Sequence, residues 1–523
     1  MRRSQTITEL DTHPEMEWDV VVIGGGATGL GAGVDAASRG YKTLLVDQHD
    51  FAKGTSSRST KLVHGGVRYL AQGDIGLVLE ALQERGRLMN NAPHLVKNQQ
   101  FLIPTYDWWD GPFYTLGLKV YDMMAGKLGL GPSIHIDKET TMQHIPNLQE
   151  EDLRGGVIYH DGQFDDSRLA INLAQTIIDN RGYVINYMKV TALLKNDEGM
   201  ITGVSMNDQE TGKEYNVKAK SVINATGVFV DQVNLLDDPK SKPLVVVSQG
   251  VHLVLDKSFL QSEYAIMIPK TSDGRVLFAV PWHNKVVVGT TDTPMKEPTL
   301  EPRALDEEIE FILNNAGQYL TKSPSRADVK SVFAGLRPLA APQDEDEETK
   351  EISRSHKIIV SKSGLITIIG GKWTTYRLMG EDIIDKAMLV GGLAERSCET
   401  KNMPIHGYVK NVDRKDHLYV FGSDIPKIKT LISNHPELDE QLDERLPYKK
   451  AEVIWGTREE MARTIEDILA RRTRALFLDA AASIDMAPTV AWLMAEELGY
   501  DENWERQQVE EYTSLAKEYL LKP

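Results

Sequence analysis

The spacing of apolar residues predicts a strand–helix–strand unit over residues 19–47. An apolar run at 20–23 leads into the glycine turn GGGATG at 24–29, and small and apolar residues then follow with helical spacing. A second apolar run, at 44–46, stops at Asp47. Strand, glycine turn, helix, strand and acid in this order are typical of a dinucleotide-binding βαβ unit.

Each part of this unit has a predicted physical role. Gly24 permits the tight turn, Gly26 lets the backbone approach a pyrophosphate, and Gly29 lets the helix pack closely on the strand. The helix N-terminus presents free N–H groups to phosphates. Asp47 follows at close to the spacing of roughly 20 residues expected for the acid that accepts a ribose hydroxyl.

Polar and apolar patterning beyond this unit predicts several further elements. Residues 51–70 form a loop rich in Ser and Thr that ends in HGGVRYL, and we interpret it as a ligand-binding loop rather than a linker. Residues 75–97 have the pattern of an amphipathic helix. Residues 1–16 carry no periodic pattern and are expected to be a loose arm.

Residues 106–131 are unusually rich in aromatic residues and methionine, with Lys119 and Lys127 as the cations among them. Two interpretations stay open. One is a buried helix pair. The other is an aromatic and basic surface that lies in a bilayer interface or lines a hydrophobic acceptor channel.

The fold class is predicted as α/β, with a Rossmann-like nucleotide-binding domain, an inserted, mainly antiparallel β domain and a C-terminal α-helical domain. The inserted domain is indicated by separate β-rich runs over 243–293. The predicted boundaries are 17–90, 155–235 and 355–400 for the nucleotide-binding domain, 91–154 and 236–354 for the substrate or cap domain, and 401–523 for the helical domain.

Composition narrows the possible functions. The net charge of −17 disfavours nucleic-acid binding, so no nucleic-acid partner is expected. The single cysteine, Cys398, excludes a disulfide framework, a cysteine zinc site and a CxxC redox pair, and we predict no metal site. Neither a signal peptide nor an apolar run long enough to span a membrane is apparent, so a reducing, cytoplasmic compartment is expected.

One nucleotide fingerprint occurs, whereas enzymes that take electrons from NAD(P)H to a flavin usually carry two such folds. Electrons are therefore expected to come from an organic substrate. The segment GGKWTT, at 370–375, does not match a P-loop, because Trp373 occupies the Ser/Thr position. We interpret it as a glycine turn that opens a helix at Thr374, whose positive end can stabilise a reduced, anionic flavin.

Four basic residues lie beside glycine turns or strand ends, namely Arg68, Arg337, Arg354 and Lys372. Singly, each is typical of a surface ion pair, but together in an acidic protein they indicate an anion pocket. His252 lies in an apolar strand and is either a satisfied core histidine or a general base.

Several segments taken together resemble the FAD-dependent glycerol-3-phosphate dehydrogenases. They are VVVIGGGATGLGAGVDAASRG, GTSSRSTKLVHGGVRYL, NATGVFVD, VVVGTTDTP, AGLRPLAA, IIGGKWTTYRLMGED and, in the tail, RRTRALFLDAAASIDMAP. The resemblance runs from about Glu17 to the end of the chain. One departure is Asp47, where a longer Glu is common in the family.

This resemblance implies non-covalent FAD, oxidation of sn-glycerol 3-phosphate to dihydroxyacetone phosphate, and electron delivery to the quinone pool. It also implies a peripheral enzyme on the cytoplasmic face of the membrane, or a cytoplasmic one, and a homodimer. The aromatic composition of 106–131 favours that segment as the surface of attachment. The cofactor-binding residues that we predict are Gly24, Gly26, Ala27, Thr28, Gly29, Asp47, Thr55, Ser56, Ser57, Ser59, Lys61, Leu62, His64, Gly65, Gly66, Ala225, Thr226, Gly227, Gly371, Lys372, Thr374 and Thr375.

For the substrate, the same resemblance implies that Arg68 and Tyr69 lie in the pocket and that Arg337 and Arg354 hold the phosphate. The predicted catalytic residues are His252, Arg337 and Lys372. His252 would accept the proton of the C2 hydroxyl, and Arg337 or Lys372 would steady the developing alkoxide.

Alternative functions stay open at this point. An FAD-dependent amine or D-amino-acid oxidase would use an arginine for a carboxylate, and a glycerol-3-phosphate oxidase would use O2 in place of quinone. A flavin-binding redox sensor or scaffold is a non-enzymatic alternative, which the combination of Arg, Lys and His disfavours.

Overall fold

A computed structural model describes residues 1–66, 74–107, 110–269, 271, 274–341 and 355–522. Its strands are β1 Glu17–Ile23, β2 Thr43–Val46, β3 Leu62–Val63, β4 Lys97–Thr105, β5 Ile134–Asp137, β6 Gly155–Gln163, β7 Tyr183–Ile185, β8 Met188–Lys195, β9 Ile201–Asp208, β10 Glu214–Asn224, β11 Val245–Asp256, β12 Ala265–Ile268, β13 Leu277–Trp282, β14 Lys285–Gly289, β15 Thr293–Met295, β16 Val329–Ala340, β17 Lys357–Val360, β18 Ile366–Ile369, β19 Gln441–Asp443 and β20 Leu446–Lys449. Its α-helices are α1 Arg3–Thr12, α2 Ala27–Ser38, α3 Ile75–Asn91, α4 Asp110–Ala125, α5 Lys138–His144, α6 Asp166–Asp179, α7 Val230–Asp237, α8 Asp306–Tyr319, α9 Tyr376–Val390, α10 Ile425–Asn434, α11 Lys450–Glu459, α12 Ala475–Leu478, α13 Ala480–Leu498 and α14 Glu502–Lys517.

The first sheet has the strand order β17-β18-β10-β1-β2-β7. The pairs β18–β10, β10–β1, β1–β2 and β2–β7 are parallel, so the carboxyl ends of these strands meet at one edge. Helices α2 and α9 are in close contact where they cross. A Cβ on Gly31 of α2 would lie only 2.5 Å from the carbonyl oxygen of Tyr376 in α9. This parallel, helix-covered sheet is the predicted Rossmann-like domain.

The second sheet has the order β15-β11-β14-β13-β12-β4-β6-β3, with β16 on β11 and β5 on β6. Its pairs are antiparallel apart from β12–β4, as predicted for the inserted domain. Two segments that the predicted boundaries place in the nucleotide-binding domain lie in the second sheet, and one of them is β3, which pairs with β6. Residues 155–163, assigned by sequence to the nucleotide-binding domain, pair along their whole length with β4 and belong to the second sheet. Helix α8 packs against this sheet through Ile309 and Ile312.

The C-terminal part is mainly helical, as predicted for 401–523, and it also contains the short hairpin β19–β20. Its buried side chains are continuous with those of the first domain. Ile468 and Leu476 belong to the same apolar cluster as Ala170 of α6 and Leu30 of α2. The C-terminal part is therefore packed onto the nucleotide-binding domain as one core.

Two local features differ from a simple interpretation of the sequence. The N-terminal arm contains helix α1, which the Thr6 hydroxyl fastens to the Val184 carbonyl at 2.8 Å. Helix α4, within 106–131, buries Leu118 and Tyr121 but leaves Phe113 72% and Met123 80% exposed. It is therefore neither wholly buried nor wholly surface. No helix among the described residues is long and apolar enough to cross a membrane.

Candidate active site

A cavity of about 660 Å³ lies between the carboxyl edge of the first sheet and strands β11 and β16 of the second. The glycine turn after β1, the loop after β2, the end of β10 and the turn after β18 all contribute to its wall. Ligands of parallel α/β sheets bind at this edge. The volume lies within the range of ordinary cofactor pockets.

The glycine turn has the geometry that close approach of a phosphate requires. Gly24 has φ of +114°, and a Cβ there would lie 2.6 Å from the Ala225 carbonyl oxygen. A Cβ on Gly29 would lie 1.9 Å from the Gly24 carbonyl oxygen, so only glycine fits under the turn. Gly26 lines the cavity, and a Cβ there would lie 3.1 Å from the Ser56 hydroxyl oxygen. Helix α2 then starts at Ala27 and directs its N-terminus at the cavity.

Asp47, at the end of β2, is held by two backbone donors. The N–H of Gly25 donates to it at 2.6 Å, and the N–H of His49 donates at 2.8 Å. Burial raises the pKa of Asp47 to about 6, although these hydrogen bonds act in the opposite direction. A hydroxyl donor from a ribose would add a third partner to the carboxylate, so the site suits the sugar of a dinucleotide.

His252 lies in β11, where its backbone pairs with Gly289 on one side and Phe333 on the other. Its ring stacks on Phe333 with 4.9 Å between centroids, and Nε2 lies 2.9 Å from the Thr60 hydroxyl. Burial, with the charges of Lys61 and Arg337, lowers the pKa of His252 well below its usual value. This shift favours the neutral imidazole, which is the form that a proton acceptor has before the reaction.

Arg337 lies in β16 opposite Ser248 of β11, four residues along the sheet from the position facing His252. Its guanidinium donates to the Thr291 carbonyl at 3.0 Å and to the Thr290 hydroxyl at 3.1 Å, and it approaches Asp292 at 3.2 Å. The side chain is 25% exposed at the cavity wall. This arrangement holds a cation in place and leaves part of it accessible to an anion.

The turn after β18 carries Gly370 and Gly371, both with positive φ, and then Lys372. The Trp373 indole N–H donates to the Ser56 carbonyl at 2.9 Å, which joins this turn to the loop after β2. A single 3₁₀ turn, Trp373–Thr375, precedes helix α9, which begins at Tyr376. The helix predicted to open at Thr374 therefore starts two residues later.

The cavity brings together most of the predicted site residues. Those in its wall are Gly24, Gly26, Ala27, Thr28, Asp47, Thr55, Ser56, Ser59, Leu62, His64, Ala225, Thr226, Gly227, His252, Arg337, Gly371, Lys372 and Thr374. Six others lie behind the wall, namely Gly29, Ser57, Lys61, Gly65, Gly66 and Thr375. Arg68, Tyr69 and Arg354 lie outside the described residues.

Lys61 has a different setting from the one predicted. Its ammonium is fully buried, donates to Asp166 and to the Ser57 carbonyl at 2.7 Å each, and lies over the Phe333 ring. Burial lowers the pKa of Lys61 to about 7, although Asp166 opposes this shift. The Lys61 ammonium is therefore bound by other groups of the protein and does not line the cavity.

Some residues of the wall were not predicted. Thr60 belongs to the hydroxyl-rich run, but nothing in the sequence shows that it meets His252. Lys53 precedes that run and Arg58 lies within it, and both line the cavity. Residues 188–191 belong to β8, a strand that the sequence analysis did not predict. The only signal for this group was the density of polar residues between Asp47 and Lys61.

Comparison with known proteins agrees with this geometry. Residues 19–377 match the family model described as FAD dependent oxidoreductase, and residues 377–505 match the C-terminal domain of alpha-glycerophosphate oxidase. The probable mitochondrial glycerol-3-phosphate dehydrogenase of Caenorhabditis elegans is 40% identical, over 94% of this chain and 72% of the relative. The mitochondrial enzyme of Schizosaccharomyces pombe is 39% identical, over 93% of this chain and 85% of the relative.

Solved structures agree as well. The glycerol-3-phosphate dehydrogenase from Bacillus halodurans complexed with FAD superposes with a TM-score of 0.81 and 30% identity, covering 99% of this chain and 98% of that one. The FAD-bound L-alpha-glycerophosphate oxidase of Mycoplasma pneumoniae shares the fold, with a TM-score of 0.55 and 17% identity over 73% of this chain and 97% of that one. The chain therefore belongs to the FAD-dependent glycerol-3-phosphate dehydrogenases, and its cofactor is FAD.

Proposed function

We propose that this flavoprotein oxidises sn-glycerol 3-phosphate at C2 to dihydroxyacetone phosphate and passes the electrons to a membrane quinone. The glycine turn, the N-terminus of α2 and Asp47 fit the pyrophosphate and ribose of FAD. When bound, FAD supplies the two-electron acceptor that takes the C2 hydrogen as a hydride at flavin N5. The remaining proton of the C2 hydroxyl must go to the protein.

The observation that carries this proposal is the position of His252. Its imidazole is neutral and lies in the same cavity wall as Arg337. We assign it the hydroxyl proton, which it accepts at Nε2, because the cavity-lining hydroxyl of Thr60 already approaches that nitrogen. Phe333, stacked on the ring, keeps the imidazole in this orientation.

Arg337 and Lys372 supply positive charge on the substrate side. Arg337 is oriented by Thr290, Thr291 and Asp292, so its fork is fixed before an anion arrives. We assign it to the substrate phosphate together with Arg354, with Arg68 and Tyr69 in the same pocket. Lys372 then steadies the negative charge that develops at the C2 oxygen, an effect that is strongest in a water-poor site.

The test is anaerobic addition of glycerol 3-phosphate to the yellow holoenzyme. Rapid bleaching of the flavin, with dihydroxyacetone phosphate formed in equal amount, is the expected result. Bleaching by amines or D-amino acids but not by glycerol 3-phosphate would favour an amine or D-amino-acid oxidase instead. A holoenzyme that none of these compounds reduces would favour a non-enzymatic flavin sensor.

The acceptor is assigned from the family and from helix α4. The exposed Phe113, Leu116 and Met123 form an apolar face suited to a bilayer interface, from which a quinone is accessible. We expect Phe113→Glu with Met123→Glu to reduce co-sedimentation with lipid vesicles while dye reduction is unchanged. Reoxidation by O2 at the rate seen with a quinone would favour the oxidase alternative.

We also propose a homodimer at the cytoplasmic face of the membrane, following the family resemblance. Light scattering of the purified holoenzyme in detergent measures its mass directly. A monomer mass at all concentrations would contradict this part of the proposal.

A further inference from the structure

Residues 47–61, here called the cofactor wall, have two faces. One face lines the FAD cavity and includes Asp47, Thr55 and Ser56. The other face carries Asp50 and Lys61, both fully buried, and meets protein rather than cavity. A segment that must hold a dinucleotide on one side is thus fastened from behind.

The fastening comes from residues 466–474 of the C-terminal helical part, here called the C-terminal clamp. Arg471 Nε lies 2.5 Å from Asp50 Oδ2. Arg472 spans both oxygens of the same carboxylate, with Nη1 at 2.6 Å and Nη2 at 2.9 Å. Burial alone would raise the pKa of Asp50, but the two guanidinium groups outweigh it and hold that pKa below its usual value. Asp50 is therefore a charged anchor between two arginines that lie more than 400 residues later in the chain.

Two further contacts extend the clamp along the wall. Arg474 donates to the Ser57 carbonyl at 2.9 Å and to Asp166 at 3.0 Å, the carboxylate that also holds Lys61. Glu466 forms an ion pair with Lys53, whose side chain borders the cavity. The clamp thus reaches the wall near its start, its middle and its end.

This arrangement fixes the geometry of the wall more than it adds net stability. Buried ion pairs gain little over apolar packing, but their bidentate forks accept only one arrangement of the partners. The wall itself is a loop with a single 3₁₀ turn, Thr55–Ser57, and it contains no strand between β2 and β3. Its shape therefore depends on what holds it from behind.

We propose that the C-terminal clamp keeps the cofactor wall in its FAD-binding shape, so that the C-terminal domain serves to retain the cofactor. This role is independent of the substrate and of the acceptor, because it needs only that FAD occupies the cavity. Arg471, Arg472 and Arg474 are positioning residues, since each acts through the wall and none lines the cavity.

The experiment measures the rate at which FAD leaves the holoenzyme, followed by the fluorescence of the released flavin well below the unfolding temperature. Arg472→Lys keeps the charge and loses the fork on Asp50. We expect it to speed FAD release about tenfold, the effect of losing roughly one charged hydrogen bond. Glu466→Gln, which weakens only the tie to Lys53 and Arg471, should speed release about threefold.

A control is available in His406→Asn. His406 of the C-terminal part lies between Asp179 of α6, at 2.7 Å, and Asp424, at 2.8 Å. It also links α6 to the C-terminal part, but none of these three residues belongs to the cofactor wall or to the C-terminal clamp. We expect FAD release from His406→Asn to stay within about twofold of the unsubstituted enzyme even if its unfolding temperature falls.

Equal acceleration of release in His406→Asn and Arg472→Lys would mean that general loosening of the domains, rather than the clamp, controls retention. Unchanged release in both Arg472→Lys and Glu466→Gln would also overturn the proposal. If Arg472→Lys does not fold, Glu466→Gln decides. Hydrogen exchange gives a second readout. FAD should slow exchange at 466–474, and protection confined to cavity-lining segments would contradict the clamp.

Discussion

Two sets of basic side chains approach the cofactor wall from opposite sides, and they are partnered differently. Behind the wall, Arg472 is 1% exposed and both oxygens of Asp50 are engaged by its fork. On the cavity side, Arg337 is 25% exposed, and it contacts the Thr290 hydroxyl, the Thr291 carbonyl and one oxygen of Asp292. A buried cation that the protein pairs with carboxylates belongs to the fold. A cation that the protein orients but leaves partly accessible is arranged for a ligand.

The same contrast holds for two buried histidines. His94 donates its Nε2–H to Asn172 Oδ1 at 3.0 Å, and burial lowers the pKa of His94 to about 4. His252 is equally buried, with its pKa also lowered, but its partner Thr60 lies in the cavity wall. Burial and a lowered pKa are therefore shared by both residues, and only the position at the cavity separates a catalytic candidate from a structural one.

The largest effect is expected from His252→Ala. Loss of a general base lowers a rate typically by about 100- to 10,000-fold. We expect the anaerobic rate of flavin reduction by glycerol 3-phosphate to fall by this factor, as measured by stopped-flow absorbance. His94→Ala is the control, since it removes a buried imidazole whose pKa is also lowered and should leave that rate nearly unchanged. An undiminished rate in His252→Ala would remove the proton-acceptor role.

A smaller effect is expected from Arg337→Met. Each charged hydrogen bond to a phosphate contributes about 1.5–3 kcal/mol, so kcat/KM for glycerol 3-phosphate should fall by roughly 10- to 150-fold. The unfolding temperature should change little, because the side chain is partly exposed. Arg168→Met should give the opposite result, with a lower unfolding temperature and an unchanged KM. The comparison between the two sets of cations fails if both variants lose stability and affinity together.

The sequence was sufficient for the local parts of this picture. The glycine turn, helix α2 and Asp47 are contiguous, and their spacing alone defines a nucleotide site. Strand β11 lies within the run predicted as β, whereas β16 was not predicted as a strand. The family resemblance selected His252 and Arg337 from them. Helix α1 was missed, since it buries only Thr6 and Leu10 and lacks a clear apolar stripe.

What the sequence could not supply was the pairing of distant segments. Residues 155–163 look like any apolar strand, and only the hydrogen bonds to β4 place them in the second sheet. Lys61 lies in a ligand-like motif, yet its partner Asp166 is 105 residues away. Asp50 and Arg472 are 422 residues apart. Such contacts depend on the folded arrangement of domains, which no local pattern encodes.

The smallest expected effect comes from a protonated histidine at the interface between the domains, which a rise in pH neutralises. His406, in the C-terminal part, lies between Asp179 of α6 at 2.7 Å and Asp424 at 2.8 Å. Burial opposes its protonation, but the two carboxylates prevail and raise the pKa of His406 to about 9. A pKa that is higher in the folded state means that the folded protein holds the proton more tightly. The resulting stability is complete below the unfolded value of about 6.5 and is lost as pH rises through about 9.

We therefore expect the free energy of unfolding to decline between pH 7 and pH 9, and to decline more in the unsubstituted protein than in His406→Asn. After allowance for solvent screening at Asp179, the expected difference is about 1–2 kcal/mol. The measurement is the thermal midpoint at each pH, taken as the difference between the two proteins, so that other titrating groups cancel. A constant difference across this range would show that His406 is not charged at the interface. The guanidinium groups of the clamp do not titrate in this range, so the clamp should persist where the His406 contact is lost.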